Sequence, residues 1–248
     1  DHQAHTSGTV AGNSQGFARD SNIYNLTYDE TDQIEYVKQF HINKPINPLT
    51  GVKNPTITNN SWGFGISGFT YSIVSSINCR GTTYTPTSGN ASNGTAVWDS
   101  ATLAACRLPT EFGNGFPARD AATDANFIDA AKAGVINVCS AGNSFVYTDI
   151  PTGPDWNNYL VSPSLGTIYY NRGSSPGSAV DTDNSMTYSP ICVGAYGAVQ
   201  TGLMSSSTVQ IVYGISGPNT GLLASDYKSE FSNYGPRIDV FAPGECIP

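Results

Sequence analysis

The sequence predicts an α/β fold built on a mostly parallel sheet, and three observations predict it. Residues 120–132 are alanine-rich with Phe127, Ile128 and Ala131 on one helical face, and Gly134 stands where a helix C-terminus favours glycine. Val135-Ile136-Asn137-Val138-Cys139 follows as a short apolar strand that ends at Ser140-Ala141-Gly142-Asn143. Two more apolar runs, 191–195 and 238–242, have the length and composition of core strands. A helix, a strand and a glycine-containing turn in succession form the unit of parallel-sheet proteins, whose sites gather at strand carboxyl ends.

The other elements follow in chain order. Residues 2–12 read as a slim helix of small side chains, suited to close packing against another element. Residues 22–28 alternate apolar and polar side chains like a short strand. In 32–41, Ile34, Val37 and Phe40 fall at helical spacing, and Pro45, Asn47, Pro48 and Gly51 then break the chain. The β-branched run 56–60 reads as a strand that leads into Ser61-Trp62-Gly63. Residues 64–118 hold no sustained period and read as an insertion of loops, with room for a hairpin; 145–187 is a second irregular insertion. With neither an internal repeat nor a linker, the prediction is one domain over 1–248 carrying these two insertions.

Composition narrows the function. Charged residues are 12% of the chain, against roughly 25% in an ordinary soluble domain, which disfavours coiled coils and charge-laced bundles. The net charge is −8 and no Lys/Arg cluster exists, so nucleic acid is not a predicted partner. No apolar run approaches the roughly 18 residues of a membrane span. At 39% hydrophobic and 11% aromatic, the chain is too apolar to be disordered. Five cysteines cannot all pair internally. Cys139 and Cys192 lie in apolar runs and read as buried thiols; Cys79 and Cys106 share a polar segment and could form a disulfide, which spacing does not decide. The redox compartment stays open.

Three segments are candidates for chemistry. His2 and His5 share a helix face, but zinc-protease helices space their histidines at i and i+4 around a glutamate, and here Gln3 and Ala4 intervene. No metal ligands are therefore predicted. An exposed histidine at the start of a small-residue helix suits a general base; the plainer alternative is a pair of surface or capping histidines. Asn143, at the end of a buried strand, can aim its amide donor at a developing oxyanion, with Ala141 and Gly142 leaving room for substrate; the alternative is a simple Gly-Asn turn. Residues 231–244, including Phe231-Ser232-Asn233-Tyr234-Gly235, read as a turn, a core strand and a turn, with no reactive group in an obvious role.

Taken together and in this order, the segments resemble the subtilisin-like serine proteases, the subtilase family, with motifs nearest its proteinase K-like members. His2-x-x-His5-x-x-Gly8-Thr9-Val10-Ala11-Gly12 is similar to the family's catalytic-histidine helix, and Gly16-Phe17-Ala18 to the segment after it. Asn60-Ser61-Trp62-Gly63 resembles the edge that lines the S1 pocket, 133–143 the strand ending in the oxyanion asparagine, and 189–195 and 231–244 two further family segments.

This resemblance implies a three-layer subtilisin-like fold, its central sheet flanked by helices, and a serine endopeptidase acting on polypeptides as a monomer in an extracellular or secreted setting. It implies that His2 is the base and Asn143 the oxyanion donor. Ser61, Trp62, Gly63, Ala141 and Gly142 would bind substrate, with Trp62 an aromatic wall near the P1 side chain. Calcium is implied as a structural ion with no identifiable site, since Tyr196-Gly197 stands where proteinase K-like members carry a ligating aspartate. Asp181-Thr182-Asp183 is another run an ion could use, but it reads as a turn.

The family orders its triad Asp, His, Ser. Residues 1–248 hold no Gly-Thr-Ser; Ser185-Met186 is only an echo in the wrong place, and Asp1 is too close along the backbone to orient His2. The implied chain is thus truncated at both ends, inert alone, and left with uncovered apolar sheet surface. The competing reading is a catalytically inactive subtilase-like structural or binding module, which Gln3 and the long insertions favour. A carbohydrate- or surface-binding β-rich domain fits the composition but not the ordered motifs.

Overall fold

The computed structural model describes residues 2–14, 16–26, 32–112, 115–183, 186–198 and 226–244. Asp1, residues 27–28 and Ser185, weighed above, and the fifth cysteine, Cys246, lie outside the described residues. The helices are α1 (His2–Ala11), α2 (Asp32–Asn43), α3 (Ser100–Ala105) and α4 (Ala121–Lys132). The strands run β1 (Ile57–Asn60), β2 (Gly65–Ile66), β3 (Ser76–Cys79), β4 (Thr82–Tyr84), β5 (Phe116–Pro117), β6 (Ile136–Ser140) and β7 (Tyr159–Ser162). They continue with β8 (Gly166–Tyr169), β9 (Asp181–Asp183), β10 (Met186–Tyr188), β11 (Ile191–Ala198), β12 (Asp226–Lys228) and β13 (Val240–Pro243).

The predicted α/β fold with a parallel sheet is present: β1, β6, β11 and β13 lie side by side in parallel, with β12 added antiparallel at the far end of β11. Local chemistry sets the helix that covers it. The Asp120 carboxylate caps α4 by accepting from Thr123 N–H at 2.7 Å, which also holds its pKa below the usual carboxylate range. At the other end, Gly134 takes φ +99°, where a side chain would be strained.

Strand periodicity then divides the sheet into two faces. Asn137 and Cys139 point under α4, where Cys139 joins Ile34, Phe127, Ala130 and Val135 in a core to which Val37 and Trp62 add. The opposite face carries Ile57, Ile136, Ile191 and Val240, which the ladders place on one side and which are 64%, 41%, 39% and 47% exposed.

Both segments read as irregular insertions turn out to be structured, and they build one sheet together. β4, β3, β7 and β8 pair antiparallel in that order, so 76–84 from the first segment meets 159–169 from the second. Phe69, Val74, Ile77, Leu103, Leu108, Phe116, Leu160 and Tyr170 pack beneath them as a second core. The strands are three or four residues long, too short to show a period, and form two hairpins, of which β3–β4 is the one the first segment had room for; only the β3–β7 pairing joins distant parts of the chain. An ion pair locks the two segments: Arg80 grips Asp155 through Nε at 2.7 Å and Nη2 at 2.8 Å, with Arg107 at 3.4 Å. Asp155 is 1% exposed, and the hydrogen bonds from Arg80 hold its carboxyl below the usual range. The Asp181 run is no turn but strand β9, paired with β10, and Asp181 meets Lys132 at 2.8 Å.

Two other expectations are corrected, and the cysteine pairing left open is decided. Residues 22–26 form no strand; Ile23, Tyr24 and Leu26 are exposed, and Tyr24 instead rests on Phe40 of α2 with ring centroids 5.4 Å apart. Alternation alone cannot make a strand without a partner edge. Helix α1 buries none of its residues. It has no large apolar side chain but Val10, and the close approach that its glycines permit is to the following loop, where a Cβ on Gly16 would lie 2.2 Å from Gly12 N. Finally, Cys79 and Cys106 share one core as free thiols, as Cys139 and Cys192 are free and buried elsewhere.

Burial pushes the thiol of Cys106 up to about 12 and that of Cys192 to about 11, and raises Cys139 as well. Iodoacetamide at about pH 8 is therefore expected to spare Cys106, Cys139 and Cys192 in the folded protein and to modify all three in denaturant, as read by peptide mass spectrometry. Rapid alkylation of Cys106 or Cys139 in the native state would contradict this packing.

Candidate active site

The carboxyl ends of β1 and β6 open into four loops that meet in one place. From β1 the chain leaves as Ser61-Trp62-Gly63; Ser61 and Gly63 are exposed beyond the end of the ladder, and Ser140 Oγ donates to Trp62 O at 3.3 Å. Phe64 N–H donates to Ser175 O at 3.1 Å, and a Cβ on Gly63 would sit 3.1 Å from Ser174 Oγ, so the loop 174–175 lies against this edge. Trp62 follows the alternation of β1 onto the same face as Asn60. Its indole therefore turns toward α4 and packs edge-on to Phe127 at 5.9 Å and near Phe64 at 6.1 Å. The ring thereby joins the core beneath α4, where strand geometry aims it.

From β6 the chain leaves as Ala141-Gly142-Asn143-Ser144. Ala141 is buried, with its N–H donating to Val193 O at 2.8 Å; Asn143 is exposed at the tip; Ser144 and Val146 are buried again. Gly142 has φ +100° and Phe145 φ +60°, so two left-handed residues bracket Asn143 and its neighbour. On the side where a Cβ would point, Gly142 is backed by Asn233, whose Nδ2 would lie 2.7 Å from it.

Asn233 is the residue that sequence reasoning passed over. It is fully buried; its Oδ1 accepts from Ser144 N–H and Val146 N–H, both at 3.0 Å, and its Nδ2 donates to Ala141 O at 2.8 Å. Its neighbours zip the two loops together, with Phe145 N–H to Phe231 O at 3.2 Å and Tyr234 N–H to Val146 O at 3.1 Å. The only sequence signal was an amide side chain in a turn rich in serine, tyrosine and glycine, which by itself is ordinary.

Of the three histidines, His41 lies at the other end of the sheet. Its Nδ1 is 2.8 Å from Thr56 Oγ1, just before β1, and burial lowers its pKa, with Lys44 and Lys53 adding to the effect. His2 and His5 stand exposed on α1, which is tied to its following loop by Ala18 N–H to Val10 O at 2.8 Å and Ser7 Oγ to Asn25 Oδ1 at 3.3 Å. His2 is not among the residues that the bonds around Asn143 gather. Among the described residues no group of three His, Cys, Asp or Glu side chains could hold a metal ion, so no step is assigned to calcium.

These features can be compared with known families. The family model described as the Subtilase family, peptidase S8, matches residues 1–247. The chain belongs to the subtilase family. Neither a curated protein nor a solved structure matches it. Subtilases are serine-type peptidases, so polypeptides are the substrate class of the family to which this chain belongs. Among the described residues, no helix of this subtilase is long and apolar enough to cross a membrane.

Proposed function

We propose that this subtilase chain supplies the general base and the oxyanion donor of a serine endopeptidase whose nucleophilic serine and orienting aspartate lie outside residues 1–248. His2 would take the proton of the attacking hydroxyl and return it to the leaving amine, while the aspartate holds the imidazole tautomer. The side-chain amide of Asn143 would meet the oxyanion of the tetrahedral intermediate alongside a backbone N–H at the serine.

An extended substrate would pair as an added strand with the main chain of Ser61, Trp62 and Gly63, above a floor formed by Ala141 and Gly142. Residues 1–248 by themselves are inert in this proposal, and the whole protein works as an extracellular monomer. The observation that supports it best is the exposed Asn143 on a turn held from below by a buried asparagine, next to the exposed edge Ser61–Gly63, in a chain of this family.

A fluorophosphonate probe tests the proposal. The full-length protein is expected to be labelled at one serine, His2→Ala to abolish that labelling, and residues 1–248 alone to take no label. Undiminished labelling of the His2→Ala protein would remove His2 from the mechanism, and label on a serine within 1–248 would refute the placement of the nucleophile. The inactive-module reading has one observation in its favour, Gln3 beside His2 on a helix that buries nothing. A full-length protein that takes no label at all would decide for it.

A further inference from the structure

We infer that Asn233 is a positioning residue for catalysis, holding the turn that presents Asn143; the inference rests on the oxyanion role proposed for Asn143. Two bonds accepted by its Oδ1, one donated by its Nδ2 and one donated by its main-chain N–H to Gly142 O at 3.0 Å reach Ser144, Val146, Ala141 and Gly142. These four bonds take hold of the chain on both sides of Asn143 and leave Asn143 itself exposed. An oxyanion donor works by being fixed in direction before charge develops, so that nothing reorganises when it does. A grip on the flanking backbone meets that need without consuming the amide that must do the donating.

The turn needs such a grip because its backbone is disfavoured. Left-handed geometry is natural for Gly142 but not for Phe145, which carries a Cβ at φ +60°. The residue at 233 must both accept and donate at short range, and asparagine is the smallest side chain with a carbonyl and an N–H2 together. Gly142 and Asn233 are matched, since the Cβ that glycine lacks would strike the amide nitrogen at 2.7 Å. A merely structural Asn233 would lower stability without a selective effect on the step that Asn143 serves, and this separates the two roles.

The test is a double-mutant cycle in the full-length protein, with kcat and KM measured on a peptide substrate below the lowest melting temperature of the set. Asn233→Ser is expected to lower kcat by about 10- to 100-fold with KM changed less than about twofold, the signature of a displaced transition-state contact. In an Asn143→Ala background the same substitution is expected to lower kcat by less than about twofold, because the group it positions is already gone.

Equal losses in both backgrounds would overturn the positioning role while leaving Asn143 as the donor. No loss of kcat in Asn143→Ala alone would instead overturn the donor assignment and the inference with it. Should Asn233→Ser fail to fold, Asn233→Ala carries the same cycle at a temperature below its own melting point, since it removes all three side-chain bonds without introducing a buried charge. The Ala variant is expected to show the same non-additivity, and an additive result would again overturn the role.

Discussion

Asn143→Ala is expected to lower kcat of the full-length protein by about 10²–10³ while leaving KM nearly unchanged, the magnitude known for the corresponding donor in subtilisin itself. The side chain is exposed and the turn is held by Asn233 rather than by Asn143, so truncating it should cost little stability. Activity and folding are thereby separated: melting temperature within about 2 °C of the parent, with kcat down by two orders of magnitude or more. Asn143→Asp is a sharper form of the same experiment, because a carboxylate in that position offers no donor and sets a negative charge against the oxyanion. A variant that kept kcat within about threefold would show that the oxyanion is stabilised elsewhere.

Arg237→Ala is expected to destabilise the protein by about 3 kcal/mol, a fall in melting temperature of about 6–12 °C for a domain of this size. Arg237 is 4% exposed and ties three pieces of chain together, 177–179, 190–192 and its own. Its Nη1 donates to Asp239 Oδ2 at 2.8 Å, and its Nη2 reaches Gly177 O at 2.8 Å, Pro190 O at 3.0 Å and Ala179 O at 3.3 Å. Asp239 Oδ2 in turn accepts from Cys192 N–H at 2.7 Å, which seats the start of β11.

Removing the guanidinium leaves those carbonyls without their donor in a space that water does not reach easily, and that is where most of the cost arises. The carboxylate adds less, because Asp239 is 46% exposed and can be solvated in its absence. Arg237→Lys should recover only a minor part, since an ammonium on a flexible stem cannot point at Asp239 and three carbonyls at once. A melting temperature within about 3 °C of the parent for Arg237→Ala would show that the loops it joins are held by other contacts.

What could be read from the sequence tracks the distance over which the deciding forces act. The glycine after α4 and the apolar faces of 32–41 and 121–132 are local signals, and the elements that they mark formed where they were read. The apolar runs that became β6, β11 and β13, and the β-branched run that became β1, are legible because such side chains in a short succession favour strands. The turn from Ser140 to Asn143 was recognisable for the same reason, as a short motif at the end of a buried strand.

The failures are of the opposite kind. The alternation in 22–26 promised a strand, but pairing needs an edge that the segment does not find. Segments 64–118 and 145–187 read as irregular, yet β3 and β7 pair across them.

By itself the sequence determined the family, the α/β class and the residue types at the candidate site, because each is carried by a contiguous motif or by spacing along a single element. Only the tertiary structure decided that two unpatterned segments share one sheet and one core, with Arg80 bound to Asp155 between them, and that Asn233 grips the turn around Asn143 from 87 to 92 positions away. Hydrogen bonds and ion pairs between residues so far apart leave no periodicity in the chain; their partners are chosen by packing, once the strands that bring them together have formed.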